Sequence, residues 1–238
     1  MANYIVCLAH FCELHGPSTI VCTQVTTENK KEEYILPSNS RVQVCSSCQL
    51  ILPDEDAVNI VTKDSTANSN ANTTRVFIST HYPLSQKRYT SLTKLVMKSL
   101  SVETTAESSK PMFYGDMIYG YCINKIFKIN DLNARGSERK YSLMLISDSE
   151  TDLLMNWDII TIYFNEIIDM IQQRVATITE ENIKRDTANG SNLGMLGNEK
   201  YLRRSLIKPK SLVELTNDTG IFVKIHLWAV ELLKDILK

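Results

Sequence analysis

The stretch that most constrains the fold is residues 3–12, NYIVCLAHFC. Side chains alternate across an extended chain. Tyr4, Val6 and Leu8 therefore share one face, and Ile5, Cys7, Ala9 and Phe11 share the other. Both faces are apolar, whereas a sheet with one wet side reads as apolar alternating with polar. Such a strand belongs in the middle of a sheet covered on both sides, as in a three-layer arrangement of helices about a sheet. His15-Gly16-Pro17-Ser18 signals a turn. The β-branched residues 19–27 supply a hairpin partner.

Further elements follow from periodicity. Residues 75–80 predict a strand that His81-Tyr82-Pro83 ends. Leu92, Leu95, Val96 and Leu100 form one stripe along a helix over 89–100. Residues 112–129 are aromatic and β-branched, and Gly115-Asp116 predicts a turn that divides them into a short and a long strand. Asn130 to Glu138 is turn chemistry, and 141–146 is the next strand. These two strands predict a hairpin with Arg135 and Gly136 at its tip. Ser149 with Asp152 resembles a capping box that opens a long helix. Its stripe runs from Trp157 through Ile160, Phe164, Ile167, Ile168 and Ile171 to Val175, so the helix should fade near Thr179. Ser211 with Glu214 caps a turn. A last helix starts at Asn217 or Asp218 and buries Ile221, Phe222, Ile225, Trp228, Leu232 and Ile236. Strands joined by tight turns imply a mainly antiparallel sheet in an α+β fold. The expectation is one domain over 1–238, with flexible loops at 54–74 and 186–200.

Charge and composition exclude several classes. The chain has 26 basic and 27 acidic residues and a net charge of −1, which gives nucleic acid no footprint. No apolar run has the length of a membrane span, and none reads as a secretory signal. The expected location is the cytosol. Cys7, Cys12, Cys22, Cys45, Cys48 and Cys122 then read as reduced thiols, several of them in the core.

Candidate chemistry is sparse. Cys45 and Cys48 form a CxxC, which supplies two of the four ligands of a structural zinc site. Cys12, Cys22, His10 or His15 could complete the set after folding, but two buried or loop thiols are the expectation, with no metal. His10 and Cys12 share a strand face, yet their flanks are those of a buried strand, so a core role is expected rather than a Cys–His nucleophile. Gly190, Gly194 and Gly197 lack the preceding strand and the following Lys-Ser/Thr of a phosphate loop. No cofactor is expected, and no independent enzymatic activity.

Three segments together resemble the folliculin family. They are His10-Phe11-Cys12-Glu13-Leu14-His15-Gly16-Pro17, the Cys45/Cys48 pair, and the stretch from Pro111 through Phe113-Tyr114-Gly115-Asp116 and Leu132-Asn133-Ala134-Arg135-Gly136 to Arg139-Lys140-Tyr141-Ser142. A weaker match runs from Ser211 to Leu233. The resemblance implies a longin domain, a five-stranded antiparallel sheet with one helix on one face and two on the other. It further implies the short, longin-only fungal form of a family whose longer members add a C-terminal DENN domain. The function implied is that of a subunit of a heterodimeric activator of Rag-type small GTPases, in amino-acid signalling to the target-of-rapamycin kinase. A folliculin-interacting protein would be the partner, and the vacuolar or lysosomal surface the meeting place. The family's catalytic arginine falls at Arg135. Without the resemblance, Arg135 reads as a solvated arginine in a turn, and Arg139 as a strand-edge charge facing solvent. A non-catalytic longin adaptor is the competing expectation.

Overall fold

The computed structural model describes residues 3–38, 40, 44–64, 74–101, 110–131, 133–188 and 209–238. Among these residues seven strands build one sheet: β1 (Ile5–Cys12), β2 (Gly16–Thr27), β3 (Asn59–Lys63), β4 (Arg75–Thr80), β5 (Met112–Asp116), β6 (Gly120–Asn130) and β7 (Glu138–Ser147). Their order is β3-β4-β2-β1-β7-β6-β5, and every pairing is antiparallel. The doubly apolar β1 takes the central place. Its even face (Tyr4, Val6, Leu8) and its odd face (Ile5, Cys7, Ala9) enter two separate cores.

The helices that cover those faces are α1 (Gln86–Ser99), α2 (Glu150–Met155), α3 (Trp157–Ala188), α4 (Leu212–Thr216) and α5 (Ile221–Ile236). On the odd face α1 presses Leu92, Leu95 and Val96 onto Ile5, Cys7 and Ala9, with Leu100 just beyond its end. On the even face α3 and α5 bury Ile160, Phe164, Ile168, Phe222, Ile225 and Leu232. The Trp228 indole donates to the Tyr163 carbonyl at 3.0 Å and fastens α5 to α3. The three long helices thus divide one to two across the sheet.

Five expectations need correction. The sheet has seven strands, not five, because β3 and β4 extend it beyond β2. Strand β3 lies inside the expected loop 54–74. A short edge strand can be half solvated, and only Ile60 and Val61 mark this one in sequence. The long helix does not run unbroken from Ser149. The Ser149 hydroxyl accepts from the Asp152 amide at 3.3 Å and caps α2, which ends at Asn156. α3 then continues past Thr179 to Ala188, since helix-forming polar residues carry it on after its apolar stripe ends. Ser211 and Glu214 form the reciprocal capping box of α4. Asn217 closes that helix in the left-handed region rather than opening α5. Within the expected loops at 54–74 and 186–200, residues 65–73 and 189–200 lie outside the described residues. Among the described residues no helix is long and apolar enough to cross a membrane.

Candidate functional site

Two features meet at one end of the sheet. The first is the β6–β7 hairpin, whose register runs to Asn130 opposite Glu138. Between them the chain folds tightly on itself. The Asp131 amide donates to the Ser137 carbonyl at 2.9 Å, the Ala134 amide to the Asp131 carbonyl at 2.9 Å, and the Ser137 amide to the Ala134 carbonyl at 3.0 Å. Gly136 and Ser137 both take positive φ, 73° and 60°, which turns the chain back into β7. A residue without a Cβ meets that requirement at no steric cost.

Arg135 sits at this tip and is exposed. Its backbone amide donates to Glu13 Oε1 at 2.6 Å, so the β1–β2 turn holds the tip from outside the hairpin. Among the described residues no carboxylate pairs with its guanidinium.

Arg139 departs from expectation. It is buried, and its Nε meets Asp131 Oδ2 at 2.7 Å, with both side chains almost fully enclosed. Burial alone would raise the Asp131 carboxyl. The Asn133 amide, the Arg139 guanidinium and Lys210 together hold it below the ordinary carboxylate range. This ion pair spans the mouth of the hairpin. Sequence reading missed it because two charges eight residues apart on either side of a turn carry no periodic signal.

The second feature is a cluster of thiols and imidazoles. β1 ends with Cys12, the β1–β2 turn offers His15, and a single 3₁₀ turn at Ser46–Cys48 brings Cys45 and Cys48 beside them. The donor atoms of Cys12, His15, Cys45 and Cys48 all lie within 4.8 Å of one another. His10, buried beside Tyr141, points Nε2 at Cys48 Sγ from 3.2 Å. Burial pushes its pKa down to about 4 and keeps the ring neutral. As free thiols, Cys12 and Cys48 are linked. The hydrogen bond from Cys48 pulls the Cys12 thiol well below its ordinary value, and that same bond pushes Cys48 up. Of the four residues named as completing the CxxC, Cys12 and His15 join both of its thiols in one group, and His10 reaches Cys48. Cys22 lies on the opposite sheet face against Thr80.

Comparisons with known proteins agree with the sequence resemblance. Residues 75–236 match the family described as "Folliculin: Vesicle coat protein involved in Golgi to plasma membrane transport". Protein LST7 of Saccharomyces cerevisiae is 31% identical over 250 aligned residues, covering 100% of this chain and 98% of that protein. Folliculin-like protein bhd1 of Schizosaccharomyces pombe is 30% identical across 64% of this chain and 44% of its own length. Human folliculin is 24% identical across 98% of this chain and 45% of its own length. The chain is thus similar to LST7 along nearly its whole length, and to less than half of the folliculin-named proteins. On the family match and on the full-length likeness to LST7, this chain belongs to the folliculin family.

Proposed function

We propose that the chain is a longin-type subunit of a heterodimeric GTPase-activating complex for Rag-type small GTPases, and that Arg135 enters the GTPase site in trans. The partner would be a folliculin-interacting protein, and the complex would act at the vacuolar or lysosomal surface in amino-acid signalling to target-of-rapamycin complex 1. The longin reading is supported by β2-β1-β7-β6-β5 with α1 on one face and α3 and α5 on the other, to which β4 and β3 are added.

The observation that carries the proposal is the exposure of Arg135 on a hairpin tip fixed by Glu13 in front and by the Asp131–Arg139 pair behind. GTP hydrolysis spreads negative charge over the transferring phosphoryl oxygens, and an arginine supplied in trans raises the rate by roughly 10³ to 10⁵. That gain needs a guanidinium held in place before the reaction, which a pinned tip provides. The test is single-turnover GTP hydrolysis by the Rag pair with the reconstituted heterodimer. Arg135→Ala should remove stimulation while the complex still assembles.

A non-catalytic adaptor is the second reading. It is favoured by the family description as a vesicle coat protein and by Met117 and Ile118, 91% and 74% exposed in the turn between β5 and β6. Strand β5 forms one edge of the sheet, and edge strands accept partners. Under that reading Arg135→Ala is silent and changes at Met117 and Ile118 are not.

A further inference from the structure

We infer that Cys12, His15, Cys45 and Cys48 form a closed structural Zn²⁺ site that clasps the segment after β2 to the end of the central strand. The inference goes beyond the activator reading and does not depend on it.

Geometry carries the argument. A tetrahedral zinc with bonds of about 2.3 Å to sulfur and about 2.0–2.1 Å to nitrogen places its sulfurs roughly 3.8 Å apart, and each sulfur roughly 3.6 Å from the nitrogen. Cys12 Sγ lies 3.5 Å from Cys45 Sγ, and Cys45 Sγ lies 3.6 Å from Cys48 Sγ. His15 Nδ1 lies 3.6 Å from Cys12 Sγ, 3.6 Å from Cys45 Sγ and 3.4 Å from Cys48 Sγ. Five edges of the tetrahedron thus have close to the required length. The sixth, Cys12 to Cys48, is within the 4.8 Å that bounds the group. Three soft sulfurs and one imidazole suit zinc rather than calcium or magnesium.

The surroundings favour thiolates. Three thiolates on one Zn²⁺ leave a net charge of −1, which needs donors around it. The Leu14 amide donates to Cys12 Sγ at 3.4 Å, and the Ser47 hydroxyl lies 3.3 Å from Cys45 Sγ. His10 Nε2 stands 3.2 Å from Cys48 Sγ, placed to give its ring N–H to the sulfur. Four protein donors fill a tetrahedron and leave no open position, so the site is structural and not catalytic.

The fold also has use for a clasp. Between β2 and β3 the described chain forms only short 3₁₀ turns, and no helix or strand of its own secures it. Two knuckles, Cys12-x-x-His15 and Cys45-x-x-Cys48, would tie that segment to β1 and β2. Glu13, which holds the Arg135 amide, lies inside the first knuckle.

The experiment is metal analysis of the full chain, purified under reducing conditions without chelator, alone and with its partner. About one zinc per chain is expected, absent from the Cys45→Ser/Cys48→Ser double variant and retained in Cys22→Ser. Because the double variant loses a structural clasp, a second measurement uses the native sequence. Zinc stripped by a chelator and replaced by Co²⁺ should give the visible bands of tetrahedral cobalt thiolate, and the chelated protein should melt at a lower temperature that added zinc restores. Substoichiometric metal with no cobalt bands, a Cys45–Cys48 disulfide in the native protein, or zinc kept by the double variant would each overturn the inference.

Discussion

Arg139 shows how much a single residue's surroundings decide. In sequence it alternates with neighbours like any charge at a strand edge. In the fold it is enclosed, and its charge is tolerable because Asp131 meets it at 2.7 Å. Removing one member of a buried pair leaves the other charged and without water. Asp131→Ala should therefore cost about 3–5 kcal/mol, measurable as a fall in the urea midpoint, while Arg135→Ala at the exposed tip should cost less than about 0.5 kcal/mol. Equal effects of the two would contradict the assignment of roles. His226 is the complementary case. It is buried, lies 2.6 Å from the Ser79 hydroxyl and 2.8 Å from the Thr62 hydroxyl, and burial lowers its pKa from 6.5 to about 4. Between those pH values the unfolded chain binds a proton that the folded chain refuses. Stability is thus full above about pH 6.5 and declines as pH falls towards 4, by on the order of 3 kcal/mol from this residue. The pH dependence of unfolding between 7 and 4.5 should shrink in His226→Gln, and an unchanged slope would remove His226 as its source.

At the scale of elements, the hairpins were legible where local chemistry decides and illegible where tertiary packing does. The turn at Gly115-Asp116 was visible because glycine and aspartate mark it. The structure places that turn at Asp116 to Gly120, where Asp116 Oδ1 accepts the Ile118 and Tyr119 amides at 2.8 Å each. Gly115 takes φ +150°, and a Cβ there would meet the Gly120 carbonyl oxygen at 2.4 Å. Gly136 takes φ +73° with open space around it. Gly115→Ala should therefore destabilise the protein by about 3 kcal/mol or more, against about 1 kcal/mol for Gly136→Ala, where backbone strain alone acts. Thermal melts of the two variants check the ranking. The end of α3 eluded reading because its apolar stripe stops at Val175, although Glu181 and Arg185 still pair at 3.8 Å one turn apart beyond it. The thiol-histidine cluster was legible only as two short spacings. Nothing periodic between His15 and Cys45 foretells that the chain returns to the end of β1.

For the whole molecule, the doubly apolar strand was sufficient to demand cover on both faces, and the helices divide across the sheet accordingly. Strand number was not legible, since β3 is a half-exposed edge strand that sequence does not distinguish from loop. The candidate site was legible through resemblance alone, because an exposed arginine in a turn has no physical signature until the turn is seen to be pinned. The proposed function puts that arginine in another protein's active site. It is tested most directly by trapping the Rag pair, loaded with GDP and aluminium fluoride, on the reconstituted heterodimer. This mimic of the transferring phosphoryl group should bind the native complex about a hundredfold or more tighter than the Arg135→Ala complex, while binding of the ground-state nucleotide form stays equal. Equal affinity of the native and Arg135→Ala complexes for the trapped state would contradict the account.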